Sequence, residues 1–216
     1  MAERIRVGIL ISGRGSNMVA IEEWNRRGER AYEIALVASN APDARGLMAA
    51  RILNLETWTH SHKGLEREAF DRTLDAELDR HGVQVVALAG YMRLLSPWFI
   101  RKWEGRILNI HPSLLPAYKG LDTHKRAILA GELHGGCSVH IVTEELDDGP
   151  VLAQSKVRIR ERETAEELAE RVLREEHKLY PEALDAYCRL LLRSLRREQL
   201  GSSAQPEETR SQPPSG

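Results

Sequence analysis

The amino-acid sequence predicts an α/β protein: a Rossmann-like, mostly parallel twisted sheet with helices on both faces and an antiparallel extension near its C-terminal part. Three features lead to this. Short, wholly apolar runs recur along the first half, as strands buried on both faces should. Amphipathic segments with apolar residues at helical spacing separate them, joined by short links. After residue 135 the alternation stops, and two strand-like runs follow one another across an acidic turn, which suits antiparallel or edge pairing.

In order, Arg6 to Ile11 (RVGILI) is the first apolar run and ends at Ser12-Gly13. Asn17 to Arg27 carries Met18, Ile21 and Trp24 at helical spacing, with Gly28 as its stop. Ile34 to Ala38 is a second strand. Ala41 to Leu53 reads as a helix, with Pro42 near its start and Leu47, Ala50 and Leu53 on one face. Thr57 to Thr59 is a short third strand. Leu65 to Arg80 is strongly amphipathic, with Ala69, Phe70, Leu74 and Leu78 aligned. Val83 to Ala89 is the most apolar strand, ended by Gly90. Pro97 to Lys102 is a short helix before the strand Ile107 to Ile110. Ser138 to Thr143 and Val151 to Val157 are the later strands. Thr164-Ala165-Glu166-Glu167 opens a long helix with a capping-box pattern. Pro181 is expected to interrupt or restart it, with helical periodicity to about Leu195. From Gly201 onward there is almost nothing to bury, which predicts a disordered tail over 201–216.

A chain of 216 residues suits one sizeable core. Its 31 Lys and Arg nearly balance 32 Asp and Glu, so the net charge of −1 supplies no overall attraction to nucleic acid or anionic membrane. Anionic ligands must therefore be caught by local devices. Cys137 and Cys188 lie far apart and in no CxxC pattern, which argues against a disulfide scaffold or zinc ribbon and fits a reducing cytoplasm. No signal-peptide pattern opens the chain and no apolar run reaches membrane-spanning length, so a cytoplasmic protein is expected.

The most informative stretch is Asn109-Ile110-His111-Pro112-Ser113-Leu114-Leu115-Pro116-Ala117-Tyr118. Residues two apart on a strand share a face, so Asn109 and His111 project side by side. A neutral hydrogen-bond donor beside a titratable base suits a reaction that builds an oxyanion while moving a proton. Taken alone, the pair is better explained as a strand end capped by a turn, and it is the rest of the chain that reverses this. Between the first strand and first helix, Ser12-Gly13-Arg14-Gly15-Ser16-Asn17 has the glycines and helix N-terminus of an anion cradle. It is not a dinucleotide fingerprint. Met18 holds the third glycine position, and the second strand ends Ala38-Ser39-Asn40, where an acidic ribose ligand is wanted. A Walker loop is excluded for lack of Gly-Lys-Ser/Thr. Alongside the other motifs, the loop reads as a seat for one phosphate monoester. The competing reading is a glycine turn with Ser16 or Asn17 as an ordinary N-cap.

Thr143-Glu144-Glu145-Leu146-Asp147-Asp148-Gly149-Pro150 gathers four carboxylates around a turn. Acidic turns are commonly just solvated, but a catalytic imidazole needs an orienting partner, and Asp147 near His111 would favour its charged form. On the helix after Thr164, the inward spacing of Ala165, Leu168, Ala169, Val172 and Leu173 continues to Glu176. A carboxylate there is paired or lines a cavity, unless that helix end overhangs solvent. Arg93, just past the Val83-to-Ala89 strand, sits at a sheet edge where α/β ligands bind. His60-x-His62, His124, His134 and His140 have no HExxH or CxxC company, so no metal is expected and they read as surface or packing residues.

Together these motifs resemble the phosphoribosylglycinamide formyltransferase family, folate-dependent enzymes of purine synthesis. The likeness runs from Ile9-Leu10-Ile11-Ser12-Gly13-Arg14-Gly15-Ser16-Asn17 through Leu88-Ala89-Gly90-Tyr91-Met92-Arg93-Leu94-Leu95-Ser96-Pro97. It continues through Asn109 to Pro116, Ser138-Val139-His140 and Glu145 to Pro150, and ends at Glu176-His177-x-x-Tyr180-Pro181. The resemblance implies one formyltransferase domain over 1–200. It implies that Asn109, His111 and Asp147 are catalytic, passing the formyl group of 10-formyltetrahydrofolate to the amine of glycinamide ribonucleotide. Gly15, Ser16 and Asn17 would hold the ribonucleotide phosphate, and Glu176 its glycinamide end. The folate would lie against Met92, Arg93, Leu94 and Leu95 and the loop Thr143, Glu144, Glu145, Leu146 and Asp147. Asn109 would border it, and Arg67 would meet its glutamate tail. Formyl-folate is then a co-substrate, no metal is needed, and the partners are small molecules rather than nucleic acid or membrane. A monomer or weak homodimer is expected. Asp148, where glycine is common, and Lys119-Gly120-Leu121-Asp122 depart from the pattern beside the site.

Three rivals remain open. A formyltetrahydrofolate deformylase hands the formyl group to water and usually carries a regulatory domain ahead of this unit; a first strand at about residue 5 is expected to leave it no room. A methionyl-tRNA formyltransferase shares the His-Pro-Ser-Leu-Leu-Pro run but adds a C-terminal tRNA-binding domain. A non-catalytic nucleotide- or folate-binding module would keep the glycine loop without needing Asn109, His111 and Asp147 together.

Overall fold

The computed structural model describes residues 3–202. Along them run β1 (Ile5–Ile11), α1 (Ser16–Arg26), β2 (Tyr32–Ser39), α2 (Arg45–Ile52), β3 (Thr57–Thr59), α3 (Arg67–Arg80) and β4 (Val85–Leu88). These are followed by α4 (Pro97–Lys102), β5 (Ile107–His111), α5 (Thr123–Leu129), β6 (His134–Ile141), β7 (Val151–Arg158) and α6 (Ala165–Ser202). One seven-stranded sheet has the order β3-β2-β1-β4-β5-β6-β7. Its first five members pair in parallel, and β6 and β7 add antiparallel strands at one edge. The expected mixed sheet is therefore present.

Apolar runs along β1 and β4 serve both faces, because alternate side chains point oppositely. Val7, Ile9, Ile11, Val85 and Ala87 meet Met18 and Ile21 of α1, Leu47 of α2, and Leu168, Val172 and Tyr180 of α6. Leu10, Val86 and Leu88 meet Phe70, Leu74 and Leu78 of α3 and Phe99 and Trp103 of α4. With β1 and β4 adjacent, Leu10 opposite Leu88, the loops that follow them leave the sheet side by side. That switch point is where open α/β sheets bind ligands.

Several element boundaries need correcting. The helix expected from Ala41 begins at Arg45, since the residues after Pro42 turn instead, with Ala44 N bonding Ala41 O at 3.1 Å. The strand expected at Ser138 to Thr143 runs from His134 to Ile141. Gly135 and Gly136 look like strand breakers, yet they pair with Val157 and Lys156. The helix α5 is too short for its periodicity to stand out in the sequence. Pro181 does not interrupt α6: buried Val172, Tyr180, Leu184 and Cys188 grip the helix on both sides of it. The capping box at its start is present, with Glu167 N donating to Thr164 Oγ1 at 3.2 Å and Thr164 N to Glu167 Oε2 at 2.9 Å. Gly201 still belongs to α6, and the remainder of the expected disordered tail, 203–216, lies outside the described residues. No helix among the described residues is long and apolar enough to cross a membrane.

Tyr180 ties the central strands from the α6 side. Its hydroxyl, fully buried, faces Leu88 O at 3.1 Å, at the carboxyl end of β4, and Leu108 O at 3.0 Å, on the adjacent strand β5. Burial holds its pKa well above the ordinary tyrosine value, so it remains a donor. Tyr180→Phe should cost about 1–2 kcal/mol, read as a lower urea midpoint at unchanged m-value. An unshifted midpoint would show that the hydroxyl contributes nothing to the sheet.

Candidate active site

Leu108 and Ile110 of β5 enter the apolar layer under α6, so Asn109 and His111 point to the opposite side. Antiparallel pairing sets His140 across from Asn109 and Ser138 across from His111. Asn109 Nδ2 lies 3.2 Å from His140 Nε2, while His140 Nδ1 lies 3.0 Å from Ile141 O. In the neutral ring the carbonyl places the hydrogen on Nδ1 and leaves Nε2 to accept from the Asn109 amide; the protonated ring turns an Nε2 hydrogen toward Asp147 instead. His140, read from sequence as a surface or packing residue, is buried, and it also bonds to Asn109 in this set. The readable signal was its position: Ser138-x-His140 answers Asn109-x-His111 across an antiparallel pair.

His111 is 5% exposed. Its Nδ1 lies 3.3 Å from Asp147 Oδ2 and its Nε2 lies 3.0 Å from Tyr118 O. Both neighbours are acceptors, so the ring serves them together only with a hydrogen on each nitrogen. Asp147, with φ 50, takes a left-handed conformation. Its Oδ2 accepts from Gly120 N at 2.9 Å, and its Oδ1 is 3.6 Å from His140 Nε2. Burial alone would raise the Asp147 pKa. The neighbouring His140, the Gly120 N–H and the charge on His111 reverse this and hold the carboxyl below its ordinary range. Gly149 lets the acidic turn fold back onto β6, since a Cβ there would lie 1.8 Å from Ile141 O.

Hydroxyls as well as prolines brace the loop after His111. Ser138 Oγ, fully buried, donates to Ser113 O at 2.6 Å and accepts from Leu115 N at 3.0 Å. Thr123 Oγ1 donates to Pro112 O at 2.7 Å. Of the two departures from the family pattern, Lys119 and Asp148 pair with each other at 2.5 Å.

At the glycine loop, Gly15 has φ 73 and its Cβ position lies 2.9 Å from Gly46 Cα, so the loop packs on the start of α2. Neither Ser16 nor Asn17 caps α1, whose first-turn N–H groups have no side-chain acceptor. Asn17 Nδ2 donates to Glu176 Oε2 at 2.8 Å, and both residues are buried. Burial raises the Glu176 pKa, and the Asn17 hydrogen bond offsets part of this. Outward from Ser16, a cleft of about 770 Å³ opens between α1 and α6, with Arg14, Trp24, Arg27, Arg174 and Lys178 on its walls. Arg27 pairs with Glu23 and Lys178 with Glu175, whereas Arg14 and Arg174 meet no carboxylate among the described residues.

On the β4 side, Met92 and Leu94 are exposed, as is Leu146 in the acidic turn. Leu95 is buried, and the Arg93 guanidinium lies 5.1 Å from the Phe70 ring centre. Arg67 opens α3 and is exposed. Asp71, missed in the sequence, is fully buried and accepts from Ser96 N at 2.6 Å; burial raises its pKa. Thr143 Oγ1 donates to the backbone Glu145 O at 3.3 Å, and the Glu144 carboxylate pairs with Arg101 at 2.9 Å. No cluster of metal-ligating residues occurs among the described residues.

An amide, an imidazole and a carboxylate gathered at one rim of a doubly wound sheet, with a glycine loop after β1, are an arrangement that suits an α/β enzyme of the acyl-transfer class. Similarity narrows the class. The chain belongs to the formyl transferase family, whose model matches residues 5–184. It is 44% identical over 178 residues to the phosphoribosylglycinamide formyltransferase of Escherichia coli, covering 82% of this chain and 84% of that protein. It is 44% identical over 182 residues to the trifunctional purine biosynthetic protein adenosine-3 of Chironomus tentans. That match covers 83% of this chain but only 13% of the much longer relative. Among solved structures, the phosphoribosylglycinamide formyltransferase of Brucella melitensis is 47% identical, with a TM-score of 0.83 over 86% of this chain and 96% of that one.

The buried Glu176 carboxyl makes a stability prediction. A carboxyl with a raised folded pKa stabilises the fold below its ordinary value of 4.5, and that contribution is lost as pH rises through the higher folded value. Glu176→Gln keeps an oxygen for Asn17 and removes the charge. Thermal melts should place the variant above wild type at pH 7, with the gap closing as pH falls below about 4.5. A variant less stable at pH 7 would mean that the charged form has a stabilising partner.

Proposed function

We propose that this chain transfers the formyl group of 10-formyltetrahydrofolate to the amine of glycinamide ribonucleotide in purine synthesis. The observation that carries the reading is the Asn109, His111 and Asp147 cluster beside a one-phosphate cradle at the same sheet edge. The names of the relatives from Escherichia coli and Brucella melitensis support it.

The glycinamide amine attacks the formyl carbon, and the carbonyl oxygen becomes an oxyanion. Asn109 has two amide hydrogens: one serves His140 and the second is available to that oxygen. His111, held by Asp147 through Nδ1, redirects its Nε2 hydrogen from the Tyr118 carbonyl to the reacting centre. As the intermediate collapses, the C–N bond to the folate N10 breaks and N10 takes a proton from His111. The former amine gives up one proton and restores the imidazolium, so the protons balance. Much of the acceleration comes from holding amine and formyl carbon in contact.

Gly15, Ser16 and Asn17 hold the ribonucleotide phosphate, and Glu176, fixed by Asn17, faces its glycinamide side. Arg14 and Arg174 line the cleft that Ser16 also lines and meet no carboxylate among the described residues. Arg67, Met92, Arg93, Leu94 and Leu95, with Thr143, Glu144, Glu145, Leu146 and Asp147, form the folate side. The enzyme works in a reducing cytoplasm as a monomer or weak homodimer. Buried, unpaired Cys137 and Cys188, both pushed up to about 12 by burial, support that compartment.

In a coupled assay, His111→Ala or Asn109→Ala should lower kcat by about 10²–10⁴, the range of a lost proton carrier or oxyanion donor. Unchanged turnover would reject the mechanism, and formate release without ribonucleotide would favour hydrolysis. A second measurement addresses the phosphate. Replacing Arg14 and Arg174 together with Ala should raise KM for the ribonucleotide about tenfold and flatten its salt dependence, with kcat nearly unchanged. No change in KM would place the phosphate away from this cleft.

A further inference from the structure

Ser12 stands at the junction of the two substrate-facing loops. Its hydroxyl donates to Asn40 Oδ1 at 2.6 Å and accepts from Met92 N at 2.8 Å, while its own N–H donates to Gly90 O at 3.1 Å. Asn40, 4% exposed at the end of β2, places its amide nitrogen 3.0 Å from His62 Nδ1 in the segment after β3. One hydroxyl thus joins material from the carboxyl ends of β1, β2 and β4, and Asn40 extends the link beyond β3.

We propose that Ser12, oriented by Asn40, is a positioning residue that keeps the folate-facing segment Met92–Leu95 in register with the phosphate loop. The proposal rests on the functional reading of those two loops given above. A hydroxyl suits the position because it gives one hydrogen and still accepts others. Asn40 Oδ1 takes the hydrogen, which turns the lone pairs toward the Met92 N–H. An alanine would leave both partners without Ser12. The other end of the segment is held independently, by Asp71 at Ser96 N. The stretch from Gly90 to Ser96 therefore hangs between two side-chain acceptors, one of which adjoins the phosphate loop at Gly13. Asn40 occupies the place where a dinucleotide enzyme carries an acid; its amide both accepts and donates, which a carboxylate cannot do.

Ser12 lies on the ribonucleotide side of the site, yet its loss should be felt in formyl-donor binding. In Ser12→Ala, KM for 10-formyltetrahydrofolate should rise about fivefold to tenfold, the factor carried by one ordinary hydrogen bond, with KM for the ribonucleotide within about twofold. Ser12→Thr keeps the hydroxyl and should restore most of the donor affinity. In the ligand-free proteins, amide exchange at Met92 should be faster in Ser12→Ala than in wild type, by a similar factor. Unchanged exchange at Met92 would overturn the proposal, as would equal rises in both KM values with a lowered melting temperature. Failure of wild type to transfer the formyl group would overturn the functional reading instead, and the exchange experiment would still decide whether Ser12 holds the segment.

Discussion

The whole site depends on the antiparallel register between β5 and β6. Strand side chains repeat every two residues, so a slip of one residue would turn Ser138 and His140 away from Asn109 and His111. It would also separate Ser138 from the loop that follows Pro112. The parallel part of the sheet is fixed by apolar burial on both faces, and it supplies β5 as a rigid base. β6 has to be positioned by other means. Gly149 lets the connecting turn approach Ile141 O, and Ser138 bonds Ser113 and Leu115 on the far side of His111. Those contacts are satisfied together in one register.

Two buried carboxyls, Asp147 and Glu176, show how burial and partners compete. Asp147 is enclosed, but a backbone N–H and two imidazoles favour its charged form. Glu176 is enclosed with one neutral amide, and burial prevails. The first is suited to stabilise a cation on His111 throughout a proton relay. The second presents a carboxyl whose charge is costly until a ligand supplies a positive or hydrogen-bonding partner. Neutral and charged neighbours thus give similar side chains opposite tendencies along one rim.

Most of the fold was legible because apolar runs and helical spacing report burial directly, as in Val83 to Ala89 and Leu65 to Arg80. Boundaries failed where long-range contacts overrode local preference: Gly135 and Gly136 in a strand, Pro181 inside a helix. Asn109, His111, Asp147 and Glu176 were legible as candidates because each breaks an apolar pattern or stands beside a motif. His140, Ser12, Asn40 and Asp71 were harder to see. Their value lies in what they touch from other elements, and a single-sequence pattern carries no trace of that until the strand order is known.

Lys119 and Asp148 make the same point from the surface. Each, viewed alone, departs from the expected pattern in a different loop. In space they form one ion pair across those loops, next to the Gly120 N–H bond to Asp147. Their side chains are 36% and 53% exposed, so the pair contributes at most about 1 kcal/mol and weakens in salt. Such a contact cannot hold the active site together by itself. It adds to a junction that the two loops already make at Asp147. The two departures therefore meet in one contact, which ties the loop after Pro116 to the acidic turn beside the Asp147 carboxyl that faces His111.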